Sequence, residues 1–138
     1  MDHQPEPYFG FFDRASRWSQ SLPVAAWVIY HPDRSPLRLN SVCIGSVMKN
    51  QEEYGAVIGL MCDALHQDIC HMHVYLDSQL VLSELNQKFE TRDTHMFRKY
   101  LRTKRLSRKI DYITFTHVPS QNQTADLIAK NILNWNAY

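Results

Sequence analysis

A chain of 138 residues, 44% hydrophobic and 21% charged, has the size and composition of one soluble domain with a real core, and excludes collagen-like, low-complexity and disordered classes. The acidic, proline-containing start Met1-Asp2-His3-Gln4-Pro5-Glu6-Pro7 lacks the basic and apolar parts of a signal peptide. No apolar stretch approaches the roughly 20 residues that span a bilayer. The expectation is a single intracellular domain over residues 1–138, with its core from about 7 to 133.

Residues 7–16 read as an apolar, aromatic strand ending in Asp13-Arg14-Ala15-Ser16. A polar turn from Arg17 to Pro23 leads into a second strand, Val24 to His31, and Pro32-Asp33-Arg34-Ser35-Pro36 is a tight turn. Leu37 to Val47 then pairs with the second strand as a hairpin, so the first three strands form an antiparallel meander. From Asn50 the period becomes helical, with Glu53, Val57, Leu60, Met61, Ala64 and Leu65 on one face. Asn50 is placed as an N-cap with Glu53 in the capping-box position. Gly55 is an unfavourable helix residue there, by about 1 kcal/mol.

Met72 to Asp77 reads as a fourth strand and Ser78 through Leu85 as a short helix. Thr94 to Arg108 should be an amphipathic helix, with Phe97, Leu101 and Leu106 on one side and cations around the rest. A fifth strand, Tyr112 to Val118, ends at Pro119, and a last helix from about Gln123 to Leu133 buries Leu127, Ile128 and Ile132. Parallel partners need crossovers, so the helices after the fourth and fifth strands favour parallel pairing there. The result is an α/β fold: a mixed five-stranded sheet with helices on both faces. Periodicity does not supply its strand order.

Four acidic residues lie at the ends of these elements: Asp13 and Asp77 close strands, and Glu53 and Asp126 open helical patterns. Carboxylates resist desolvation and repel one another, so four of them on core elements suggest a hard divalent cation where they meet, and chemistry on a phosphate. For Glu53 the capping role competes with this one. Three cysteines, Cys43, Cys62 and Cys70, are odd in number and lack CxxC spacing. A disulfide framework and a zinc knuckle are thereby disfavoured. His66, His71 and His73 lie near two of the cysteines but match no common zinc-ligand spacing.

A net charge of +1 hides an asymmetry. Residues 1–93 carry 7 Lys/Arg against 12 Asp/Glu, whereas residues 94–138 carry 8 against 2. Seven of those eight cations are Arg98, Lys99, Arg102, Lys104, Arg105, Arg108 and Lys109. Such a run is often only a solvated helix face. Beside an acidic, metal-suited cluster it reads as a contact for a phosphate backbone, so that the two halves build one site.

Four segments resemble ribonuclease H type 1, in the form found in plant genomes, plant retrotransposon polyproteins and archaea. They are Phe12-Asp13-Arg14-Ala15-Ser16-Arg17, Asn50-Gln51-Glu52-Glu53-Tyr54, His73 through Val81, and His117-Val118-Pro119 through Asn122-Gln123-Thr124-Ala125-Asp126-Leu127-Ile128-Ala129. Their carboxylates are separated by 40, 24 and 49 residues. The resemblance implies a ribonuclease H-like sheet of order 3-2-1-4-5 with strand 2 antiparallel. It also implies hydrolysis of the RNA strand of RNA–DNA hybrids by a monomer using two Mg²⁺ ions, with Mn²⁺ able to substitute. Asp13, Glu53, Asp77 and Asp126 would be the catalytic, metal-binding set. Asn50 matches a residue that contacts the hybrid's minor groove, where 2′-hydroxyls distinguish RNA. Together with the basic helix, the expected nucleic-acid contacts are Arg14, Ser16, Asn50, Gln51, Ser78, Gln79, Arg98, Arg102, Arg105 and Asn122.

The chain departs from the family beside the first carboxylate, where Arg14 stands in place of a glycine, and in the turn Arg17 to Pro23, which has lost two glycines. The loop from Pro119 to Asn122 is one residue short. Three readings therefore stay open at this level. One is an active hybrid-cutting endoribonuclease. Another is a catalytically impaired domain of the same fold that binds nucleic acid or a protein partner. The third is a nuclease of the same fold in which Arg14 shifts the preference to another substrate, such as a DNA junction or a single strand.

Overall fold

The computed structural model describes residues 5–13, 24–43, 49–76, 78–86 and 93–118, with side chains for 5–11, 27–40, 53–76, 78–86 and 93–118. Within them the element order is β1 (Tyr8–Asp13), β2 (Val24–Tyr30), β3 (Pro36–Cys43), α1 (Lys49–His66), β4 (His71–Leu76), α2 (Gln79–Asn86), α3 (Thr94–Ser107) and β5 (Tyr112–His117). The strands form one sheet of order β3-β2-β1-β4-β5. β1, β2 and β3 pair antiparallel as the expected meander. β4 runs parallel to both β1 and β5. The sheet is thus the mixed one implied by the resemblance. The last helix, expected from about Gln123 to Leu133, lies outside the described residues, as does the turn 17–23.

Alternation sorts β4 cleanly. Met72, Val74 and Leu76 face the helices and are buried, while His71, His73 and Tyr75 face the other way and are half-buried. On the helical side they join Trp27 and Ile29 and meet Val57, Leu60, Met61 and Ala64 of α1, Val81 and Leu85 of α2, and Met96 of α3. This is the apolar face of α1 expected from its spacing. Burial of such side chains contributes about 1.5–3 kcal/mol each. The opposite face carries an aromatic cluster in which Phe11 stacks on Tyr75 at 4.9 Å and meets the edge of Tyr30 at 5.7 Å.

α1 lies close against the sheet because small residues let it. A Cβ at Gly59 would stand 2.2 Å from the Trp27 ring, and one at Gly10 of β1 would meet Leu60 at 2.8 Å. Trp27 cannot swing aside freely, since its indole N–H donates to Asp63 Oδ2 at 2.7 Å.

Two expectations need correction. α1 already begins at Lys49, so Asn50 lies in its first turn and not at the N-cap position. On α3, Phe97 and Leu101 are exposed, at 42% and 43%, while Met96 and Thr103 are buried and Tyr100 and Leu106 pack against the core. The inner stripe is Met96-Tyr100-Thr103. Phe97 and Leu101 sit one residue further on, about 100° around the helix, which turns them outward. Among the described residues no helix is long and apolar enough to cross a membrane.

Candidate functional site

The parallel pairing of β1 with β4 sets which strand ends share one edge of the sheet. The strands are in register at Phe11↔Tyr75. Two residues further along the chain stand Asp13, the last residue of β1, and Asp77, next after the last residue of β4. Both strands therefore run out at the same edge of the sheet, the C-terminal edge where sites form in open α/β folds.

Glu53 reaches that edge from the first turns of α1. It is fully buried, and its Oε2 accepts a hydrogen bond from the backbone N–H of Ser78 at 2.7 Å, the residue that follows Asp77. A buried carboxylate needs such a donor, because its desolvation is otherwise uncompensated. Ser78 serves two elements at once. Its Oγ accepts from the backbone N–H of Val81 at 3.2 Å, the N-cap contact that starts α2.

Behind Glu53, the hydroxyl of Tyr54 donates to Glu84 Oε1 at 2.6 Å, and both residues are buried. Burial, and then the Glu84 hydrogen bond, push the Tyr54 phenol well above its ordinary range, so it remains a donor. Sequence reasoning missed this pair. The available signal was Glu84 itself, an acid on the stripe Val81-Glu84-Leu85 that buries α2.

Of the four expected metal ligands, the structure thus describes the Glu53 side chain and the backbone of Asp13, which pairs with Ala26. Asp77, Asp126 and the side chain of Asp13 lie outside the described residues. Among the described residues no group of three or more His, Cys, Asp or Glu is placed to hold a metal. Cys62 and Cys70 are free thiols.

The expected nucleic-acid contacts divide similarly. Ser78 is buried at 7% exposure, with N–H and Oγ engaged as above, whereas Gln79 is exposed. Asn50 and Gln51 lie in the first turn of α1 with side chains outside the description, and Arg14, Ser16 and Asn122 lie outside it altogether. Arg98, Arg102 and Arg105 are exposed along one side of α3.

That stripe runs away from the Glu53 edge. Tyr100 lies near enough to Tyr54 to act on its phenol. Lys104 Nζ donates to the Leu85 carbonyl, and α3 ends just before Tyr112, whose N–H bonds to Cys70 O. Tyr112 pairs with His71, the first residue of β4. The turn that carries Arg108 and Lys109 therefore leads into the edge of the sheet where β4 begins, and β4 runs roughly 17 Å from there to its other end.

Comparison with known proteins matches this architecture. A family model described as reverse transcriptase-like covers residues 15–132. The crystal structure of RNase H1 from the halophilic archaeon Halobacterium salinarum superposes with a TM-score of 0.75 and 30% identity, over 93% of this chain and 98% of that one. This chain belongs to the ribonuclease H type 1 family. The curated ribonuclease HI of the same archaeon is 31% identical over 125 residues, or 90% of this chain. The chain spans 63% of the length of that relative. More distant members share the fold. LC11-RNase H1, solved in complex with an RNA/DNA hybrid, gives a TM-score of 0.70 at 18% identity, over 86% of this chain and 89% of that one. The N-terminal RNase H domain of a Mycobacterium tuberculosis protein gives 0.68 at 20%, over 86% and 94%.

Proposed function

We propose that this protein is an endoribonuclease that hydrolyses the RNA strand of RNA–DNA hybrids with the help of two Mg²⁺ ions. The observation that carries the reading is Glu53: a fully buried carboxylate, held by the Ser78 amide, at the edge where β1 ends in Asp13 and β4 leads into Asp77. Family membership supports the substrate class.

The donor set fits the metal, since oxygen ligands few in number and rigidly held suit Mg²⁺, which keeps part of its water shell and binds substrate phosphate. Asp13, Glu53, Asp77 and Asp126 would hold it. The chemistry that a pair of such ions supplies when bound is activation of water and stabilisation of the leaving 3′ oxygen. The protein's own part is positional. Ser78 orients Glu53, and the strand ends bring Asp13 towards it. Asn50 and Gln51 at the start of α1, with Gln79 at the start of α2, flank the same edge as hybrid contacts, alongside Arg14, Ser16, Ser78 and Asn122. Arg98, Arg102 and Arg105 supply charge further along the duplex.

Arg14 favours a second reading. A long side chain where the family has glycine pushes the substrate backbone away, which fits a domain that binds a hybrid without cutting it. One assay separates the two. Purified protein with a labelled hybrid and Mg²⁺, or Mn²⁺ in its place, is expected to release RNA fragments, and Asp77→Asn to abolish this. Absence of cleavage, or cleavage that survives Asp77→Asn, would sink the first reading.

A further inference from the structure

Glu53 is held by Ser78, and the next residue of the same helix carries a second link to the same neighbouring unit. Tyr54 is fully buried and donates to Glu84 at 2.6 Å. Glu84 is 1% exposed, on the inner side of α2 among Val81 and Leu85. A carboxylate there loses its hydration, and an apolar side chain would pack at that position without this cost. Its presence calls for a role that an apolar residue could not fill.

Geometry indicates that role. Consecutive residues of α1, Glu53 and Tyr54, are tied to two points of one short unit, the N-cap Ser78 and Glu84 less than two turns later. The two ties differ in kind. Glu53 accepts from α2's cap, whereas Tyr54 donates to α2's body. A rotation or slide of α1 that carried Glu53 off the Ser78 amide would also pull Tyr54 off Glu84.

We propose that Glu84 is a positioning residue, which acts through Tyr54 to lock α1 against α2 and so holds the Glu53 carboxylate in place at the strand-end edge. The assignment rests on the reading of Glu53 as a metal ligand. A ligand must be held to within about 0.5 Å by supporting contacts, and outer partners of metal ligands commonly change metal affinity about 10- to 100-fold when removed.

Three variants of the full chain test this: Glu84→Ala, Tyr54→Phe and Glu84→Gln. In metal-free protein, amide hydrogen exchange at Ser78 should become about tenfold faster in the first two, with Met72 and Val74 unchanged, as expected for local and not global opening. The Mg²⁺ concentration for half-maximal hybrid cleavage should rise about tenfold, with the rate at saturating Mg²⁺ little altered. Glu84→Gln keeps an oxygen for the Tyr54 hydroxyl and should return both readouts towards wild type. Unchanged Ser78 exchange in Glu84→Ala and Tyr54→Phe would overturn the assignment. So would equal acceleration at Ser78, Met72 and Val74, which marks general loss of stability. If the wild type failed to cut a hybrid while Ser78 exchange responded as expected, the nuclease reading would fall and the positioning of Glu53 would stand.

Discussion

Among the described side chains helix α1 carries two buried carboxylates, one near each end, and the fold holds them in different ways. Asp63 Oδ2 accepts from the Trp27 indole at 2.7 Å and the Asn40 amide at 3.4 Å, and pairs with Arg38 at 3.1 Å. These donors come from β2 and β3, so Asp63 fastens α1 to the meander, and a guanidinium offsets its charge. Glu53 Oε2 takes a main-chain amide at the edge where β1 and β4 end. That contact orients the oxygen without itself supplying a positive side chain. Burial alone therefore does not mark a functional acid. Under the proposed function, what separates Glu53 from Asp63 is its place at the edge where β1 and β4 end.

The comparison can be broken most directly at Glu53. Glu53→Gln should lower hybrid cleavage about 100-fold or more, the scale of loss when one group that stabilises a transition state is removed. Its melting temperature should hold or rise, since one repelling charge is gone. A Gln variant that still cuts would place Glu53 in the same structural role as Asp63.

Next in size is Gly59→Ala. Its methyl group would lie 2.2 Å from a Trp27 ring already held by Asp63. Overpacking of this kind costs about 1–3 kcal/mol, readable as a lower denaturant midpoint. Asp63→Asn should cost about 1 kcal/mol in the same measurement, because Arg38 is half in solvent and its pairing is screened. Cleavage by folded Asp63→Asn should stay near wild type. Lost activity in a folded protein would show that the two acids are not separable.

The smallest effect concerns the sheet's other face. Burial, and then the neighbouring His71, hold the His73 imidazole below its ordinary range. The unfolded chain takes up this proton near pH 6.5 and the folded one resists it. The stabilising contribution is therefore complete above that pH and is lost as the pH falls through the lower folded-state value. His73→Gln should flatten the decline of the melting temperature between about pH 7 and 5. An unchanged slope would assign the decline to other groups.

Much of the fold is legible in the sequence alone. The hairpin of β2 and β3, the face of α1 from Val57 to Ala64, and the crossovers that make β4 and β5 parallel all follow from local periods and turn chemistry. The resemblance of four acidic segments to ribonuclease H type 1, in their residues and order, pointed to the family. Less legible was α3, which contains two apolar series offset by one residue, Met96-Tyr100 and Phe97-Leu101. Either can be the inner stripe on pattern alone, and packing chose the first. Tyr54 and Glu84 were invisible as a pair because they lie 30 residues apart.

The chain by itself thus determined its described strands and helices and the apolar face of α1, since these depend on residues a few positions apart. Tertiary structure decided that Glu53 meets Ser78, that Asp63 meets Trp27 and Arg38, and that the α3 arginines run away from the carboxylate edge. Those outcomes depend on which surfaces come together between residues 19 to 41 positions apart, and no local period carries that information.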